Sequence, residues 1–226
     1  MSYMWNEFNI KTFPAETIVF RDGIYCADLS TMPNAPINKK YDLPVHIIYV
    51  GEIAGENNLE ISVGAENQKV CVSVNVKNNL PAFLNIFIKN AGKNSEILGH
   101  VMLENNSELN YDCHAQHLYE NTAILIKNKV LAGKNSISKL SGTAKINKYC
   151  AKCKSDIAFS AMVDVGAKID FMPAQIISSE PVFADHSAGI YSPKENQILY
   201  LRGAGLSGSE VDVAMREAFI NDFDLF

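Results

Sequence analysis

Residues 69–77, Lys69-Val70-Cys71-Val72-Ser73-Val74-Asn75-Val76-Lys77, read KVCVSVNVK. Valine holds every second position, and Cys71, Ser73 and Asn75 stand between. A period of two belongs to an extended strand with one apolar face. Working outward, PVHIIYVGEI from Pro44, NLEISV from Asn58 and PAFLNIFIKN from Pro81 continue in short apolar runs. Towards the start, TIVF from Thr17, the turn Arg21-Asp22-Gly23 and IYCADL repeat the pattern, after a lead-in over residues 1–15. Between Glu16 and Tyr191 no stretch carries a helical period. The chain reads as all-β.

The turns narrow the architecture. AGKNS occurs at Ala91–Ser95 and again at Ala132–Ser136, with looser relatives ENNSEL at Glu104 and VGAKID at Val165. Recurring turn units suit a stacked parallel solenoid, here with coils of roughly 20 residues. A β-sandwich fits the spacing equally well.

After Tyr191 the character changes. Ser192-Pro193-Lys194-Glu195 offers a capping serine with proline at the first helical position, and the helix PKENQILYLR should stop at Gly203. Ser207 and Glu210 form a second capping box. The next helix sets Val211, Ala214, Met215, Ala218 and Phe219 on one stripe. The division is therefore a lead-in with first strands over 1–44, a β core over 45–191 and a helical region over 192–226.

The chain has 226 residues, 47% of them apolar and 20% charged, with a net charge of −5. That length can bury a full core. The acidic balance argues against nucleic acid as the main partner, because phosphate recognition needs clustered Lys and Arg. No apolar run is long enough for a membrane span, and the N-terminus lacks the basic head and apolar stretch of a secretory signal. Five cysteines, an odd number, suggest reduced thiols and a cytoplasmic setting.

Several motifs carry possible chemistry. GAGLSG at Gly203 matches a dinucleotide pattern but lacks the βαβ context, so helix-ending glycines explain it better. AGKNS lacks the first glycine and the Ser or Thr of a phosphate loop. Cys150-Ala151-Lys152-Cys153 is a lone C-x-x-C; zinc needs further ligands, for which Cys113, His114 and His117 are the nearest soft groups. His46 and His100 read as ordinary strand residues. Asp164, Asp170 and Asp185 would supply the acids of a polysaccharide-acting solenoid. ADHSAGIY, from Ala184 to Tyr191, sets Asp185, His186 and Ser187 side by side. In a strand His186 points away from both neighbours, so the three are no triad.

The segment from Met172 to Phe223 resembles the C-terminal part of the SufB/SufD family of iron–sulfur cluster assembly. Pro173, His186, Ala188, Gln197, Tyr200, Leu201, Arg202, Gly205, Leu206, Ser207, Ala218 and Phe219 stand at matching places. TIVFRDGIYCADLS and AGKNSEILGHVML resemble earlier, weaker stretches. The resemblance implies a right-handed parallel β-helix followed by short helices. It also implies a scaffold without enzymatic activity, bound to SufC, an ABC-type ATPase, through those helices. Typical members are about twice as long and carry an N-terminal helical domain, to which nothing in this sequence corresponds. The cysteine of SufB should fall near Ile157–Phe159, where none stands, and Ser187 replaces the Glu that follows the matched His. The chain is thus SufD-like.

Four expectations follow from the resemblance. His186, with Cys150 and Cys153 as nearest soft partners, would hold iron or a transient iron–sulfur cluster. Tyr200, Leu201, Arg202, Met215 and Phe219 would bind the SufC-like ATPase. Replacing Met215 and Phe219 by Ala should then abolish binding and leave the thermal midpoint nearly unchanged. Two copies would pair as a homodimer at the β-helix ends; a purely structural homo-oligomer is the other assembly that remains open.

Overall fold

The computed structural model describes residues 17–21, 24–25, 35–37 and 45–221, so the expected lead-in over 1–15 lies outside them. The chain runs through β1 (Thr17–Arg21), β2 (Ile24–Tyr25), β3 (Ala35–Ile37), β4 (Val45–Glu52), β5 (Gly55–Val63), β6 (Lys69–Asn78) and β7 (Ala82–Asn90). Next come β8 (Glu96–Asn105), β9 (Glu108–His117), β10 (Ala123–Ala132), β11 (Ile137–Ile146), β12 (Lys154–Val163), β13 (Lys168–Ile177) and β14 (Phe183–Tyr191). Two helices follow, α1 (Glu195–Gly203) and α2 (Gly208–Asn221).

Successive strands go to alternate sheets. Even-numbered strands from β4 to β14 stack in one sheet, with the hairpin β1–β2 at its edge; odd-numbered strands from β3 to β13 make the other. From β3 onward every pairing is parallel and joins a strand to the one two places on. That is a parallel β-helix of about five turns, not a sandwich.

The valines of β6 explain the core. Val70, Val72, Val74 and Val76 are all buried inside the helix, while Cys71, Ser73 and Asn75 face outward. Register then stacks like on like. Ile47, Val72, Gly99, Ile126 and Ile157 form one interior column, completed by His186 on β14. Two large polar side chains of the interior find partners, as burial favours. Tyr111 donates its hydroxyl to Asn128 Oδ1 at 2.7 Å, and Asn78 Nδ2 donates to Asn105 Oδ1 at 2.9 Å.

The coil is longer than the turn motif suggests. From β6 to β10 ladder partners lie 27 residues apart, not about 20, and the interval lengthens in the later coils. The corner asparagines Asn67, Asn94 and Asn121, with φ of 53°, 57° and 53°, form one such ladder through their side-chain amides. Asparagine tolerates this left-handed backbone, and the stacked amides satisfy one another. The two AGKNS units are 132 − 91 = 41 residues apart, about one and a half coils. They occupy opposite corners, one entering β8 and the other β11. Each closes on a Ser N–H donated to the Gly carbonyl, Ser95 to Gly92 at 3.1 Å and Ser136 to Gly133 at 3.0 Å. A Cβ at Gly92 would meet the Ala65 carbonyl oxygen at 2.0 Å, so only glycine fits. The corner before β12 runs over residues 147–153, against 118–122 before β10.

Both helices form, with one change of cap. Ser192 and Pro193 stay outside α1; Lys194 is the cap residue, its N–H donated to Gln197 Oε1 at 2.9 Å. The second box is as expected, with Ser207 N–H donating to Glu210 Oε2 at 2.8 Å. The Ser207 N–H holds the Glu210 carboxyl below its ordinary range. α2 lies on the outer face of the even-numbered sheet, where Val211, Met215 and Phe219 pack on Met102, Leu131 and Met162. Lys129 and the Arg216–Asp164 ion pair fasten it.

Candidate functional site

The stack stops at β13 and β14. Among the described residues each pairs along one edge only, with β11 and β12 respectively. No further coil of the described residues covers the interior there, and apolar side chains are exposed. Ile190 is 61% exposed although its column neighbour Ala161 is fully buried, while Phe183, 77% exposed, stands on the outer face with Asp185 and Ser187. On β13 Ile177, next to the buried Ile146, adds exposed interior area, and Ile176 and Met172 are exposed on the outer face. Unpaired strand edges and apolar side chains left open in this way are available to another chain.

His186 stands in the middle of that end. Its column neighbour is the buried Ile157, and the flanking inward positions on β14 are the small Ala184 and Ala188. Asp185 and Ser187 belong to the outer face, so the alternation places His186 opposite both. The His186 N–H donates to Asp185 Oδ1 at 2.8 Å. Asp156, the outward neighbour of Asp185, has its carboxyl pushed up by burial first and by the Asp185 charge second.

Cys150 and Cys153 are elsewhere. Both are buried in the corner before β12, in a small cluster with Ile146 against which Val182 and Ala184 pack. Cys153 Sγ is 3.2 Å from Thr122 Oγ1, which in turn is 2.7 Å from His117 Nδ1. His117 has 0% exposure and burial pushes it down to about 4, so its ring is neutral. The sequence offered His117 as a soft group for the Cys150–Cys153 motif but not the Thr122 bridge between His117 and Cys153, because these side chains meet only across a corner. Among the described residues no group of three or more His, Cys, Asp or Glu is placed to hold a metal. His186 and the two cysteines form no such group among the described residues. Cys113 lies in the interior, where burial pushes its thiol up to about 12.

The helix residues divide. Met215 and Phe219, at 6% and 7% exposure, are the inner face of α2, not an outward stripe. Expected to anchor the ATPase with little part in stability, these two instead pack within the chain: a helix this late still finds a core, because Met102, Leu131 and Met162 leave an apolar strip on the sheet. Leu201 packs partly on the same strip, whereas Tyr200 is 76% exposed and Arg202 is exposed. Between the helices runs a groove of about 560 Å³ lined by Tyr200, Leu201, Ala214, Ala218 and the edge of Met215, with Asn196 and Gln197 at its rim.

Asp164, Asp170 and Asp185 form no cluster. Asp164 is engaged by Arg216 after β12, and the other two stand on strands of different sheets. These three acids are not brought together as glycoside cleavage would need.

The family model for the SufBD core domain of SUF-system FeS cluster assembly matches residues 46–219, from β4 through α2. The chain belongs to the SufBD family. Its role lies in iron–sulfur cluster assembly, and SufBD proteins serve there as scaffolds or adaptors. The SufBD match spans the open end and the helix seat together. No curated protein matches the chain at a significant level. No helix among the described residues is long and apolar enough to cross a membrane.

Proposed function

We propose that this SufBD chain is a non-enzymatic scaffold that pairs with a second copy at the open end of its β-helix and docks a SufC-like ABC ATPase through α1 and α2. The carrying observation is the uncovered last coil, where the interior columns end on exposed side chains around His186. A second copy joined across a two-fold axis would bury those side chains, satisfy the free strand edges and bring two His186 imidazoles to the seam. Iron or a transient cluster would be held there, with further ligands supplied by the incoming cargo or another protein. The groove between α1 and α2, lined by Tyr200 and Leu201 and rimmed by Asn196 and Gln197, offers the ATPase an apolar slot with polar edges. ATP chemistry then belongs to the partner, and the setting is cytoplasmic.

Co-purification with the ABC-type ATPase encoded beside it tests the reading. Retention of the ATPase on the tagged chain supports it. A chain that self-associates yet binds no ABC ATPase is a structural oligomer instead.

A further inference from the structure

We propose that Cys150 and Cys153 are a dithiol that closes to an intrachain disulfide and thereby repacks the foot of β14. The inference stands apart from the assembly role above. Residues 150–153 form a turn with Lys152 at φ 60°. The ends of a β-turn lie within about 7 Å between Cα atoms, and disulfides span about 4.4–6.8 Å. Both side chains point inward into one cluster. Both sulfurs also face the same stretch of main chain, Cys150 Sγ at 3.5 Å from the His117 carbonyl and Cys153 Sγ at 3.2 Å from the Tyr119 carbonyl. Zinc would need four ligands, and no set of even three is assembled among the described residues.

The cover over the sulfurs is one layer thick and belongs to the end of the stack. Val182 and Ala184 lie on them, both partly exposed. Beside Val182 is a cavity of about 550 Å³ lined by Ile177, Glu180 and Pro181. Terminal turns of this kind open locally at low cost, which admits a small oxidant. One cysteine thiolate attacks a sulfur of a low-molecular-weight disulfide such as oxidised glutathione, expelling a glutathione thiolate. The second cysteine thiolate attacks the mixed disulfide and expels the other. Both cysteine protons end on glutathione; the protein loses two electrons and glutathione gains them.

The change reaches β14 through two hydrogen bonds. The Lys152 N–H donates to the Pro181 carbonyl at 2.6 Å, and the Phe183 N–H to the Cys153 carbonyl at 2.9 Å. The test uses the folded full-length chain, incubated with oxidised glutathione and read by peptide mass mapping and by amide exchange. A Cys150–Cys153 link, reversed by reductant and accompanied by altered exchange at Phe183 and Ala184, supports the proposal. In Cys150→Ser, a glutathione adduct should remain on Cys153. Free thiols at both positions in the folded protein, a link from either to another cysteine, or a link that leaves β14 exchange unchanged overturns it.

Discussion

Lys129 and Phe219 are joined twice: Nζ donates to the Phe219 carbonyl at 2.6 Å and stands 5.2 Å from the centre of its ring. Lys129 is buried, so its charge rests on the last turn of α2, where carbonyls gather. Tyr191, the final residue of β14, tilts against the same ring at 5.7 Å. Phe219→Ala should therefore cost about 3–5 kcal/mol, the range for a buried aromatic. Thermal unfolding checks this. The double change with Met215→Ala should lower the midpoint further, the reverse of what an outward stripe would give.

Partner docking is expected to separate from stability at Tyr200. Its ring is exposed and its loss leaves no cavity in the fold. Tyr200→Ala should weaken ATPase capture by about 2 kcal/mol, the scale of an interface anchor, with the melting curve unmoved. Pull-down and thermal unfolding on the same preparation distinguish the two effects.

His117 predicts a pH dependence. Its pKa is lowered on folding, from an ordinary 6.5 to about 4, because burial disfavours the imidazolium. Below pH 6.5 the unfolded chain takes up a proton that the folded one refuses. Stability is thus complete above 6.5 and declines as the pH falls towards 4, by at most about 3 kcal/mol. Denaturant titrations between pH 7 and 4 should show the slope, and His117→Gln should flatten it.

Gly142 stands in the interior on β11. A Cβ there would lie 2.7 Å from Phe159 Cε2 and 3.0 Å from Ile157 Cγ2. Gly142→Ala should destabilise by about 1–3 kcal/mol through overpacking, seen as a lower denaturation midpoint.

At the open end, His186→Ala should keep the fold, since the side chain covers a solvent-facing edge. Iron retained after reconstitution should fall, with the sedimentation behaviour of the assembly unchanged. Undiminished iron content would remove His186 as a ligand.

Much of the fold was legible because strand alternation is local: Val70 to Val76 declare their inward face without reference to any neighbour. The coil length was not, because AGKNS marks a turn chemistry used at both kinds of corner, and its spacing counts half-coils. The apolar stripe of α2 was legible, but whether it faced inward depended on Met102, Leu131 and Met162, whose outward placement needs the register. His186 read correctly as the odd face of its strand. That this face continues the column of Ile157 and Ile126 required the pairing across coils. The His117–Thr122–Cys153 contacts had no sequence period to reveal them.

The constant 27-residue interval of the asparagine ladders makes the early coils interchangeable parts. Removing or duplicating one whole interval, such as residues 69–95, would rejoin every column with its own kind and shift His186 along the axis by about 4.8 Å, one strand spacing. An insertion of a single residue within a strand would instead turn the following apolar positions outward. Length in this rod is thus adjustable in whole steps, and the reach between its two ends can be engineered like the rungs of a ladder.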